Sequence, residues 1–106
     1  MKCLEKVKRA LLTVTDNVGH YEALTKDDRY LVWAEDSGSN MLGADNRPEC
    51  QAIQGTIDLY TCMENDPYVE EIQSALRKEK ICYSLNSVQY QDETKLIHYE
   101  WVFEVA

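Results

Sequence analysis

The side chains best placed to do chemistry are a histidine and the carboxylates around it. In the stretch Leu96–Val105 (LIHYEWVFEV), Ile97, Tyr99, Trp101, Phe103 and Val105 alternate with His98, Glu100 and Glu104, and Leu96 and Val102 are the apolar exceptions. A period of two puts His98 and the two glutamates on one polar strand face. Asp58 lies in a second alternating run and reaches the same face once the two strands pair. A carboxylate–histidine cluster of this kind can bind a metal ion or move a proton. The same pattern more often marks an exposed strand face of mixed charge, and no spacing in it singles out a catalytic set.

The other candidate chemistry is thinner. His20 is the second of only two histidines, and Cys3, Cys50, Cys62 and Cys82 form no C-x-x-C pair. They read as four reduced thiols rather than a zinc site. Glu35 and Asp36 with Asp45 and Asn46 could make a calcium-binding loop, but their spacing follows no calcium-ligand order. No phosphate-binding glycine loop, zinc-protease motif or nucleophile elbow occurs. The expectation is a protein that is not an enzyme and carries no cofactor.

The elements that would position these residues follow from periodicity. Lys2–Val14 is predicted to be an amphipathic helix through Leu4, Val7, Leu11 and Val14. Val18–Leu24 is ambiguous between a short strand and a loop, and Tyr30–Ala34 is a β-prone run. Glu35–Cys50 is a polar stretch rich in turn formers, long enough to be either a functional loop or an idle hairpin end. Gln51–Thr61 alternates with Ile53, Gly55, Ile57 and Leu59 on one face and Gln54, Thr56, Asp58 and Tyr60 on the other; Gly55 points to a bulge or a close backbone approach. Asp66–Lys80 has the best helix signals: Asp66 as cap, Pro67 at the first position, glutamates early and Arg77, Lys78 and Lys80 late. Ile81–Tyr90 alternates with a phase change near Asn86–Ser87, the mark of a bulge. The order α-β-β-α-β-β implies an α+β fold in two layers, with two helices on one face of a four-stranded, antiparallel or mixed sheet.

Length and charge bound the function. At 106 residues the chain is one domain, and a net charge of −8, from 19 acidic and 11 basic side chains, argues against binding to a nucleic-acid backbone or an anionic membrane. No apolar run approaches the roughly 20 residues of a membrane span. The N-terminus lacks the apolar core of a signal peptide, so the chain reads as cytosolic at synthesis. Seven tyrosines and two tryptophans exceed what a thin core must absorb, and Tyr21, Tyr60 and Tyr90 fall on faces the core does not claim. Aromatics there suit a protein–protein surface, and the sheet edges suit self-assembly.

HYEA at 20–23, YLVWAED at 30–36, ADNR at 44–47, GTIDLYT at 55–61 and IHYEWVFEV at 97–105 carry a resemblance over nearly the whole chain. In this order they resemble the small tail-terminator or tail-completion (head–tail joining) proteins of long-tailed phages and prophages of Gram-positive bacteria. The resemblance implies an α+β subunit that forms a ring with its own copies, typically a hexamer. Such a ring caps the tail-tube protein, ends tube polymerisation and presents a surface to the head–tail connector. It also implies assembly in the host cytoplasm, a final place at the head–tail junction of the virion, and DNA passing through the lumen unbound. Glu35, Asp36, Asp45, Asn46, Arg47, Asp58, Tyr60, Tyr90, His98 and Glu100 are the candidate oligomer or partner surface, and the acidic ones suit a lumen to which DNA does not stick. Two readings stay open beside it: a neighbouring minor virion component, and a monomeric ligand-binding or regulatory α+β domain with its pocket between helices and sheet.

Overall fold

In the computed structural model, which describes residues 2–36 and 53–105, the chain runs α1 (Lys2–Leu12), β1 (Val18–His20), β2 (Arg29–Glu35), β3 (Ile53–Thr61), α2 (Tyr68–Lys78), β4 (Cys82–Gln91) and β5 (Leu96–Val105). The fold is α+β, as the periodicities imply. The sheet differs in detail: it has five strands in the order β1-β2-β3-β5-β4, and the β1–β2 pair is parallel while the rest are antiparallel. The added strand is the ambiguous segment after α1. Three residues are too few to show a period, and β1 is recognisable only by its register with β2.

The alternation expected for β3 and β5 sets the layers. Ile57 and Leu59 of β3, Trp101 and Phe103 of β5, and Leu31 and Trp33 of β2 turn to one side. There they meet Leu4, Val7, Ala10 and Leu11 of α1 and Ile72, Ala75 and Leu76 of α2. Trp101 is fully buried, and its indole N–H donates to Gln73 Oε1 at 3.1 Å, so burial leaves no orphaned donor. Gly55 sits in this layer because a close approach requires it. A Cβ there would lie 2.2 Å from the Ala34 carbonyl oxygen and 2.6 Å from the Phe103 ring.

The segment joining β1 to β2 is short for a parallel connection, which usually takes a dozen residues or more. It covers residues 21–28 and starts at Tyr21, whose φ of 73° reverses the chain. Asn17 staples it: its side-chain amide donates to the Thr25 carbonyl at 3.1 Å and its oxygen accepts from the Thr25 N–H at 3.2 Å. The return passes so close over β1 that a Cβ on Gly19 would lie 1.9 Å from the Glu22 carbonyl oxygen.

At the other end of the sheet an ion pair ties β2 to α2. Arg29 donates to Asp66 from Nε at 2.9 Å and Nη2 at 2.5 Å, and its guanidinium lies 3.3 Å from the centroid of the Tyr68 ring. Asp66 Oδ1 also accepts the Tyr68 N–H at 2.9 Å, performing the capping role expected of it, while Pro67 already has helical angles. Burial alone would push the Asp66 carboxyl up. The hydrogen bonds from Arg29, Thr61 and the Tyr68 N–H, together with the Arg29 charge, outweigh it and hold the carboxyl below its ordinary value.

Candidate functional site

Polar residues of the strands face away from the helices, and across three strands three rings stand in one line. Tyr30 of β2, Tyr60 of β3 and His98 of β5 are direct register partners. Their rings stack at 4.7 Å (Tyr30–Tyr60) and 4.3 Å (Tyr60–His98), with interplanar angles of 16° and 10°. His98 Nε2 lies 2.7 Å from Asp58 Oδ1, so the histidine and the carboxylate singled out by the alternation do meet. Glu100 stands directly opposite Asp58 on β5. The return segment 21–28 forms the wall of a groove here, with Glu22 and Lys26 facing Tyr30, Asp58, Tyr60 and Gln91.

Burial pushes the Asp58 carboxyl above its ordinary value; His98 opposes the shift and the Glu100 charge adds to it. Two carboxylates opposite each other on paired strands also repel. The folded state therefore favours protonated Asp58, and the ionised carboxylate costs stability as pH rises through its folded value. Asp58→Asn removes that cost and keeps a side chain able to hydrogen-bond His98. Its expected thermal midpoint at neutral pH is equal to or above that of the parent, measured by calorimetry. A clear fall would show that the carboxylate charge stabilises the fold.

A second cluster lies at the β1 edge. The His20 ring is sandwiched between Tyr21 (4.3 Å) and Trp33 (4.0 Å), and its Nε2 lies 2.7 Å from Glu35 Oε1. Hydrogen bonds from Tyr21 and His20 outweigh burial and hold the Glu35 carboxyl below its usual range, and the same bond to Glu35 raises the Tyr21 phenol. Glu35 is thus the last residue of β2, paired with Gly55, rather than the first of a loop.

Of the ten candidate surface residues, the structure gathers Asp58, Tyr60, His98 and Glu100 on the open face. It places Glu35 and Asp36 at the end of β2. It puts Tyr90 on the helix-side face of β4, 58% exposed. Asp45, Asn46 and Arg47 lie outside the described residues. Tyr30 and Trp33, which complete the two ring stacks, were not singled out; their places depend on cross-strand register, which single strands do not reveal.

Among the described residues the hydrogen-bond partner of the His98 ring is the Asp58 carboxylate. No three His, Cys, Asp or Glu side chains among them gather closely enough to hold a metal ion. No described helix is long and apolar enough to cross a membrane. No protein-family model matches the chain, and no curated protein matches it.

Proposed function

We propose that the protein is a structural subunit that assembles with its own copies into a ring at the head-proximal end of a phage tail tube, ending tube growth and mediating head–tail joining. The observation that carries the self-assembly is strand β4. It is an edge strand of ten residues, CYSLNSVQYQ, without a charge or a proline in a chain that is 28% charged. Edge strands of monomeric proteins are commonly blunted by charges or proline. Here the only such device is the bulge between Leu85 and Ser87. That bulge turns Leu85 and Val88 to the same side, beyond the cover of the helices, where Leu85, Val88 and Tyr90 are 44%, 49% and 58% exposed. An uncharged edge with three exposed apolar side chains favours a permanent partner.

The place in a tail rests on the resemblance over residues 20–105. An acidic chain whose open face carries Asp58, Glu100 and Glu104 also suits a surface past which DNA moves without adhering. Removing the gene from its source genome and imaging the particles by electron microscopy tests the role. Overlong tails are expected. Tails of normal length beside separate filled heads would make the protein a joining protein only. Intact virions would overturn the reading in favour of a monomeric binding domain, for which the groove beside Tyr60 is the available site.

A further inference from the structure

The groove on the open face of the sheet holds hydrogen-bonding groups that the fold itself does not use. Val32 and Asp58, register partners on β2 and β3, lie in it beside the Tyr30 and Tyr60 rings, and Glu22 and Lys26 stand on its wall. It encloses about 620 Å³, room for an organic group rather than a lone ion.

Tyr30 is only 7% exposed, yet its hydroxyl has no hydrogen-bond partner among the described residues, and burial alone pushes its phenol up. No fully buried side-chain oxygen among those residues lacks a partner, so this hydroxyl opens into the groove that Tyr30 lines. Asp58 is half satisfied in the same way. His98 Nε2 takes its Oδ1 at 2.7 Å, and its Oδ2 has no partner among the described residues. A polar group in a nearly closed site gains most from a ligand that supplies the missing bond.

The charge of that ligand follows from the field in the groove. Asp58 and Glu100 both raise the Tyr60 phenol, so the hydroxyls sit in negative potential. Glu22 adds a further carboxylate, and the cation opposite, Lys26, is exposed and makes no ion pair among the described residues. An anionic ligand would meet like charges here. The chain shows on its helix side how a buried carboxylate beside a tyrosine is satisfied: the Arg29 guanidinium donates to both oxygens of Asp66 and lies over the Tyr68 ring. With that cation in place the Asp66 carboxyl is held below its ordinary value, whereas Asp58, without one, is raised.

We propose that the groove binds an alkyl guanidinium group, which donates to Asp58 Oδ2 and to the Tyr30 and Tyr60 hydroxyls while Glu22 supplies a second negative charge. Several separated acceptors suit the planar fork of a guanidinium, with its five N–H donors, better than the point charge of an ammonium. The group belongs either to a free guanidinium compound or to an arginine of a partner protein. The site stands apart from the self-assembly reading, because the groove and the exposed apolar side chains of β4 are on opposite faces of the sheet.

Saturation-transfer difference NMR observed on the ligand tests this whatever the size of the assembly. Ethylguanidinium should give a saturable signal with half-saturation at roughly 1–10 mM, the affinity of a fragment making a few polar contacts. Ethylammonium should bind several-fold more weakly and acetate not at all. Asp58→Asn, which keeps the fold, should weaken ethylguanidinium binding about tenfold or more, and Tyr30→Phe several-fold. Lys26→Gln should tighten it by removing a competing cation. No saturable signal, equal binding of acetate, or an affinity unchanged in both Asp58→Asn and Tyr30→Phe would overturn the proposal. So would weaker binding in Lys26→Gln, which would mark the groove as a site for anions. Agmatine and a blocked Gly-Arg-Gly peptide then separate the two sources: tighter agmatine assigns a free compound, and a peptide at least as tight assigns a partner's arginine.

Discussion

Asp66→Ala is expected to lower the free energy of unfolding by about 3–5 kcal/mol, the range for breaking a buried ion pair by removing one partner. The Asp66 side chain is fully buried and the Arg29 side chain 28% exposed. Alanine leaves the Arg29 guanidinium facing an emptied site, takes the acceptor from the Tyr68 N–H at the start of α2, and loosens the link between β2 and α2. Urea denaturation followed by circular dichroism measures the change. Replacing both partners, Arg29→Met with Asp66→Leu, should cost less than Asp66→Ala alone, because no charge is then stranded and methionine can still pack on Tyr68. A double variant as unstable as the single one would mean that capping, rather than the stranded charge, carries the effect.

The pH dependence of this pair has a definite sign. The Asp66 carboxyl is held below its ordinary value in the folded state. Its contribution is therefore complete above the unfolded value of about 3.9 and is lost as pH falls through the folded value. Asp66→Asn should flatten the acid limb of the stability curve below about pH 4. Asp58 works in the opposite direction, being raised by burial, so acid relieves rather than removes stability there.

How far the sequence spoke depended on the length over which a pattern could repeat. The strand Leu96–Val105 has the bounds its alternation implies, and its partner β3 places Asp58 next to His98, because patterns of nine and ten residues with buried faces can pair in few ways. The bulge near Asn86 showed as a break in parity, and the register shifts between Leu85 and Ser87. What stayed hidden was non-local or short. Three-residue β1 has no period to read, and its parallel register is set by the Asn17 staple and by Gly19, features meaningful only once residues 21–28 fold back. The ring stack Tyr30–Tyr60–His98 depends on two registers at once, and the sandwich of His20 between Tyr21 and Trp33 depends on the unseen strand. Gly55 was legible as a choice between bulge and close approach, and the structure selects the close approach.

That selection has a large expected consequence. Gly55 lies in β3, in the centre of the sheet, paired with Glu35 on one side and Phe103 on the other. A methyl group there would lie 2.2 Å from the Ala34 carbonyl oxygen, 2.6 Å from Phe103 Cζ and 2.8 Å from Glu35 Cα. The Phe103 ring could turn aside, but it is fully buried among Trp33 and the helix residues, and two of the three atoms are backbone of a paired strand. Gly55→Ala should therefore cost stability at or beyond the upper end of the roughly 1–3 kcal/mol typical of overpacking, against the few tenths that a better strand former would otherwise return. The strain falls where Glu35 holds His20 and Tyr21, so the variant should also loosen the stack of Tyr21 on His20. Phe103→Leu in the same background opens room for the methyl group and should recover part of the stability; if it recovers none, the Ala34 and Glu35 backbone, not the ring, sets the limit.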